Sequence, residues 1–137
     1  MGPGATLDSF EISEAHAAVA RESFRRAGFE GRAHVHVGPA AESLPKLEGK
    51  VDLVFIDADK VGYPAYLAWA EDALEVGGLL LADNAFGWGR VADPPGGDDA
   101  RSIEALQRFA KALATSGRFR ATLIPTAEGL AMGVKLR

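Results

Sequence analysis

The chain has 137 residues, 47% hydrophobic and 25% charged, with a net charge of −4 and no cysteine. That balance fits one ordinary globular domain and excludes disulfides and thiolate metal centres; the acidic charge, with Lys and Arg scattered, argues against a nucleic-acid partner. No apolar run reaches the ~18 residues of a membrane span, and Met1-Gly2-Pro3-Gly4 lacks the basic-then-apolar pattern of a signal peptide, so neither a membrane nor export is expected and the default location is the cytoplasm.

The pattern along the chain alternates strand and helix. Thr6 to Glu11 reads as a short strand. Ser13 can cap the following helix, with Glu14 in its first turn, where the helix dipole favours an acid. Ala17, Ala20, Phe24 and Ala27 fall at helical spacing, and Gly28 is placed to end the helix. Ala33 to Val37 is a second strand, after which Gly38-Pro39 opens a short helix to about Leu47. Val51 to Ile56 is a third strand, apolar on both faces after Asp52, as in parallel strands covered on both sides.

Pro64 suits the first turn of a helix running to about Glu75, with Tyr63, Leu67, Ala70 and Leu74 on one side. Gly77-Gly78 should stop it before a fourth strand, Leu79 to Ala82. A glycine- and proline-rich loop follows to about Asp98. A last helix spans roughly Asp99 to Thr115, with Ile103, Leu106, Ala110 and Leu113 as its stripe. Phe119 to Ile124 and Leu130 to Leu136 are strands joined by a short link, hence an antiparallel hairpin, with Phe119, Ala121, Leu123, Leu130, Met132 and Val134 expected inward. The expected fold class is therefore α/β, a mostly parallel sheet finished by an antiparallel hairpin.

Chemistry concentrates at two strand ends. Phe55-Ile56-Asp57-Ala58-Asp59-Lys60 and Gly77-Gly78-Leu79-Leu80-Leu81-Ala82-Asp83-Asn84 each run from buried apolar residues straight into oxygen-bearing side chains. Ligands of open α/β sheets bind beyond the carboxyl ends of strands. If the two strands are neighbours, their axes lie about 4.8 Å apart. Asp57, Asp83 and the amide oxygen of Asn84 would then offer three hard oxygen ligands suited to a divalent cation, Mg²⁺ first and Mn²⁺ or Ca²⁺ as substitutes. The alternative is that they only cap strand ends and begin turns. Lys60 lies beside this cluster, where a cation would disfavour its protonated form and let it accept a proton; alone it would read as a solvated helix-start lysine.

These segments resemble the cation-dependent O-methyltransferases, the family of catechol and caffeoyl-CoA O-methyltransferases, over essentially the whole chain. The resemblance implies a Rossmann-like class I methyltransferase sheet and transfer of a methyl group from S-adenosylmethionine to a hydroxyl of a catechol-like or other small aromatic acceptor. It implies metal binding by Asp57, Asp83 and Asn84 and a base role for Lys60. Glu11, within Glu11-Ile12-Ser13-Glu14-Ala15-His16, matches the acid that meets the donor's ribose, although a helix-start carboxylate explains it equally from sequence. Ala40, after Gly38-Pro39, matches the adenine contact, and Asp59 a second donor-contacting acid. Asp57, Trp88 and Arg90 are candidates to meet the acceptor, with Tyr63 a candidate that its helical stripe also explains as core. The family's aromatic after Asp-Asn falls one position earlier than Trp88. A homodimer is the family's expected full-length state.

The family carries a glycine-rich strand-to-helix turn upstream of the Glu11 strand, and that turn is not in residues 1–137. The resemblance thus implies a partial, N-terminally truncated domain with an internal start at Met1. Such a chain is expected to bind the donor poorly and to turn over little. It should associate, or pair its exposed strands directly, because a central strand is missing. A non-enzymatic metal- or partner-binding remnant is the alternative. A phosphoacceptor receiver is disfavoured by Asp83-Asn84 and the terminal hairpin, and a dehydrogenase by the lack of Gly-x-Gly-x-x-Gly. His34 and His36, spaced i and i+2, lack a third zinc ligand and read as an exposed strand face.

Overall fold

The structure is a computed structural model that describes residues 2–94 and 96–137; Met1, on which the expected internal start falls, and Pro95 lie outside the described residues. The chain divides into two units, Met1–Glu48 and Gly49–Arg137.

The first unit is built on a strand-helix-strand motif. β1 (Leu7–Glu11) and β2 (Ala33–Val37) pair in parallel, from Leu7 opposite Ala33 to Glu11 opposite Val37, and α1 (Glu14–Arg26) connects them. Ser13 caps α1 as expected, its extended backbone letting Oγ accept from the His16 amide at 3.4 Å. Such a cap contributes about 1 kcal/mol. Glu14 and the Arg25–Arg26 pair sit at the helix ends that the dipole favours, and Gly28 takes the left-handed conformation just past the helix, at φ 75°. After β2 come a single-turn helix, α2 (Ala40–Ser43), and a 3₁₀ turn at Leu44–Lys46. His34 is exposed. His36 stacks on Phe10 with ring centroids 5.0 Å apart and sets Nε2 2.7 Å from Asp8 Oδ1. Among the described residues no group of three His, Cys, Asp or Glu could hold a metal ion.

The second unit is a four-stranded sheet in the order β3-β4-β6-β5, from β3 (Val51–Ile56), β4 (Leu74–Ala82), β5 (Phe119–Ile124) and β6 (Leu130–Lys135). β3 and β4 are parallel; β6 runs antiparallel to both β4 and β5. This is the expected α/β sheet with its terminal hairpin. α3 (Tyr63–Ala73) and α4 (Ala100–Thr115) pack on one face. That face carries Ile56, Leu80, Ala82 and Ala131, all at most 4% exposed, against Tyr63, Leu67, Ile103, Leu106, Phe109 and Leu113 of the helices. Burying each such Leu or Ile contributes about 1.5–3 kcal/mol. Among the described residues no helix is long and apolar enough to cross a membrane. Among the described residues β1 and β2 form one sheet and β3 to β6 another.

Three features depart from the sequence reading. α3 ends at Ala73 rather than near Glu75, because Leu74 is already extended and opens β4. The register then slips between Val51 opposite Leu74 and Leu53 opposite Leu79, an irregularity within β4 where Gly77 takes φ 86°. The hairpin departs from the inward set expected: on β5 only Phe119 is buried, while Ala121 and Leu123 are exposed, and β6 presents the opposite set, with Ala131, Gly133 and Lys135 buried and Leu130, Met132 and Val134 half-buried. A Cβ at Gly133 would lie 3.0 Å from a Leu113 methyl, so the small residues admit α4. The Lys135 amine donates to the Glu71 and Leu74 carbonyls at 2.6 and 2.8 Å, satisfying the end of α3. Third, β3 is covered on one face only. Leu53 and Phe55 are 52% and 58% exposed, and β3 is an edge strand of its sheet.

Candidate active site at the strand ends

Register fixes the core of the candidate site. Ile56 and Ala82 are opposed on β3 and β4, so Asp57 and Asp83 are the next residues out of two neighbouring strands. The Asp83 amide donates to the Ile56 carbonyl at 3.0 Å, carrying the pairing one step past the strands. Asn84 follows at φ 53°, a left-handed conformation that Asn tolerates better than most residues. Its carbonyl accepts from the Gly87 amide at 2.9 Å and so turns the chain sharply at the sheet edge. The structure therefore sets Asp57 beside Asp83 at adjacent strand ends, with Asn84 the next residue along the chain.

Lys60 joins them through the turn after β3. A 3₁₀ turn over Lys60–Gly62 runs directly into α3. Asp59 caps it, accepting from the Gly62 amide on Oδ2 at 2.8 Å and from the Tyr66 hydroxyl on Oδ1 at 2.6 Å. The turn folds Lys60 back over the strand ends. Nζ lies 3.2 Å from Asp57 Oδ1 and donates to the Tyr63 hydroxyl at 2.7 Å. The Lys60 side chain is only 10% exposed, against 53% for Asp57. This is not the solvated lysine that the sequence also allowed. Tyr63 is fully buried, which removes it from the acceptor-facing candidates. Its hydroxyl donates toward the Asp83 and Ile56 carbonyls, at 3.0 and 3.2 Å. Burial first, then the charges of Asp57, Asp83 and Asp59, push the Tyr63 phenol well above its ordinary range. Burial and the Asp59 hydrogen bond push Tyr66 up to about 12.

Among the described residues no protein donor bonds the Asp83 carboxylate or the Asn84 side chain, and Asp57 is bonded only by Lys60, on Oδ1. Two carboxylates and an amide are the donor types that a hard divalent ion takes, though among the described residues no group of three His, Cys, Asp or Glu is gathered here.

The loop after Asn84 is tied down on two sides. The Ala85 and Phe86 amides donate to the Gly129 and Glu128 carbonyls of the β5–β6 link, at 2.9 and 3.1 Å. Gln107 of α4 donates to the Val91 and Asp93 carbonyls at 2.9 and 2.8 Å. Trp88 is 49% exposed and sits at φ 54°, unusual for a bulky residue, between Gly87 at φ 54° and Gly89 at φ 79°. Strain of this kind collects at ligand-contacting positions. Arg90 is committed inside the loop, donating to the Gly96 carbonyl at 2.9 Å and lying 3.3 Å from Asp99 Oδ2.

The donor-side candidates of the first unit occupy their own strand end. Glu11 is the last residue of β1; Oε1 accepts from the Ser13 amide at 2.8 Å and Oε2 lies 3.7 Å from His16 Nδ1. Ala40 is the first residue of α2, half-buried, after the Pro39 cap. Sequence reasoning missed the roles of Tyr63 and Tyr66. The only signal was spacing: Lys60 to Tyr63 is one helical turn, and Asp59 to Tyr66 is two.

Comparison with known proteins agrees with this architecture. The family model described as O-methyltransferase matches residues 3–136. A catechol O-methyltransferase of Mycobacterium tuberculosis is 38% identical over 126 residues, covering 85% of this chain and 57% of that protein. The O-methyltransferase of Bacillus cereus, solved in complex with SAH, superposes with a TM-score of 0.91 at 31% identity, covering 98% of this chain and 64% of that one. The O-methyltransferase TomG of Streptomyces achromogenes, involved in tomaymycin synthesis and solved with SAM, gives 0.93 at 28% identity, covering 100% and 65%. The chain thus spans less than two thirds of the length of these relatives. On the family match and the catechol O-methyltransferase relative, it belongs to the O-methyltransferase family.

Proposed function

We propose that this site serves the transfer of a methyl group from S-adenosylmethionine to a hydroxyl of a small catechol-like aromatic acceptor, assisted by a divalent cation, Mg²⁺ in the first instance. The observation that carries the reading is the row formed by Asp57 and Asp83 at adjacent strand ends, with the Lys60 amine 3.2 Å from Asp57. Asp57, Asp83 and Asn84 would hold the ion, whose Lewis acidity lowers the cost of ionising a hydroxyl. Lys60 Nζ is the group that takes the hydroxyl proton. Glu11 and Ala40 are the donor-side contacts in this reading. Asp59 contributes there only through lone pairs left over from its bonds to Gly62 and Tyr66. The half-exposed indole of Trp88 offers a flat apolar surface against which an aromatic acceptor can stack. Family membership and SAM- or SAH-bound relatives support the choice of donor.

The test is mass-spectrometric detection of methylated catechol with S-adenosylmethionine and Mg²⁺. The expected result is donor-dependent product, reduced ~10²-fold or more by Lys60→Ala with donor affinity unchanged in calorimetry. A donor-binding protein that methylates no aromatic hydroxyl, or full turnover in Lys60→Ala, refutes the reading.

A further inference from the structure

The Lys60 amine does not reach its position through the 3₁₀ turn alone. A lysine stem has four rotatable carbons, and exposed lysines sample many rotamers. Here one buried hydroxyl touches three parts of the site. Tyr63 Oη lies 3.2 Å from the last carbonyl of β3 at Ile56, 3.0 Å from the Asp83 carbonyl beyond β4 and 2.7 Å from Lys60 Nζ. The ring is itself immobilised, with no exposed surface and an edge-on contact to Phe109 at 5.4 Å between centroids. The phenol has one proton, which one of the two carbonyls takes, and its lone pairs remain free to accept from the amine.

We infer that Tyr63 is a positioning residue: its buried hydroxyl fixes the Lys60 amine relative to the ends of β3 and β4, and so aims the nitrogen at the space over Asp57 and Asp83. Nζ is tetrahedral. One bond runs to its own carbon, one N–H points to Tyr63 Oη and another to Asp57 Oδ1. The fourth direction is then fixed, and it is the one that carries the exchangeable proton or the lone pair. Asp57 is the weaker anchor, because that carboxylate is 53% exposed and an exposed ion pair holds a long side chain poorly. Tyr63 supplies the rigid second point. The functional consequence rests on the methyl-transfer reading above; the hydrogen bond itself does not.

The decisive experiment needs neither donor nor acceptor. Lysine ammonium groups are observed in the ¹⁵N-labelled chain by proton-nitrogen correlation NMR at mildly acidic pH. Lys60 and Lys135 are expected to give exchange-protected signals, the latter from its two carbonyl bonds. Tyr63→Phe should abolish the Lys60 signal and leave that of Lys135, with the backbone amide spectrum otherwise preserved. If Tyr63→Phe does not fold, Lys60→Met is read from the other partner. The chain has only two tyrosines. With tyrosine labelled at the hydroxyl-bearing carbon, Lys60→Met should shift the Tyr63 resonance and leave Tyr66, which bonds Asp59 instead. A Lys60 signal equally protected in Tyr63→Phe, or absent from the native chain, overturns the inference, as does an unmoved Tyr63 resonance in Lys60→Met. If methylation fails but these signals behave as expected, the fault lies with the proposed reaction and not with the positioning role.

Discussion

Gly129 is where the loop that begins at Asn84 is propped against the terminal hairpin, and replacing it by alanine should separate two energetic effects. Its φ is 75°, a conformation in which an L side chain costs roughly 1–3 kcal/mol. A Cβ there would also lie 2.5 Å from Phe86 Cγ and 2.7 and 2.8 Å from the two Cδ atoms. Ordinary carbon contacts are about 3.5–4.0 Å, so roughly 1 Å must be opened. Cγ is the root of the ring, and rotating the ring about its own axis does not clear it. Either Phe86 leaves its packing or the loop lifts, and overpacking of this kind costs about 1–3 kcal/mol. The sum is roughly 2–6 kcal/mol, a large share of the 5–15 kcal/mol typical of a domain. Gly77→Ala is the control, since Gly77 has φ 86° but nothing within 4 Å of its Cβ position. Urea unfolding should show Gly129→Ala clearly more destabilised than Gly77→Ala. Adding Phe86→Ala should recover part of that excess in a double-mutant cycle. Because the Ala85 and Phe86 amides bond the Gly129 and Glu128 carbonyls, Gly129→Ala should also weaken any ligand held by Asn84. Equal destabilisation by the two alanine variants would refute the account of Phe86 as the clashing group.

Two further outcomes follow from the same geometry. Calorimetry with Mg²⁺ or Mn²⁺ should detect binding that Asp83→Ala abolishes while circular dichroism stays unchanged, and equal binding by that variant would remove Asp83 from the ion site. Both tyrosines are shifted upward, Tyr66 to about 12, so absorbance near 295 nm should show almost no phenolate in the folded chain at pH 11. Since the folded state holds phenolic protons that the unfolded chain loses near pH 10, stability is full below about pH 10 and falls as pH rises toward 12; a flat or rising urea midpoint between pH 10 and 11 would contradict the buried hydrogen-bonded phenols.

The sequence displayed what depends on period and local chemistry, and concealed what depends on partners far away in the chain. β2 and β3 have the bounds that the apolar runs suggest, and Ser13, Glu14 and Gly28 mark the ends of α1 because caps are local. Asp57, Asp83 and Asn84 were legible because a buried strand that breaks off in oxygens leaves them at a sheet edge in any parallel pairing. The inward face of β6 was not. Alternation there offers two sets, and hydrophobicity favours Leu130, Met132 and Val134. The choice fell to α4, which needs Gly133 beneath Leu113, and to α3, whose last carbonyls need the Lys135 amine. Neither requirement is written near residue 130. Tyr63 was hidden in the same way: its place on an apolar helical stripe explains its ring but says nothing of its hydroxyl.

The two tyrosines also explain how this site keeps charged groups ordered at an edge that water reaches. Asp57 is half exposed, and an isolated exposed ion pair contributes only about 0–1 kcal/mol, too little to hold a long side chain in one geometry. Lys60 is not held by that pair alone. Tyr63 anchors the amine from below, through a hydroxyl locked to backbone carbonyls, and Tyr66 anchors the capping Asp59 that shapes the turn carrying Lys60. A Cβ at Gly62 would fall 2.6 Å from the Tyr66 ring, so the turn and the ring fit only with glycine between them. Order therefore comes from neutral hydroxyls bonded inside the protein, which salt does not screen, while among the described residues no protein donor bonds the side-chain oxygens of Asp83 and Asn84. An edge built this way separates groups held still by the protein from groups left open to a ligand. For that reason Tyr63→Phe and Asp83→Ala should affect different properties of the same site.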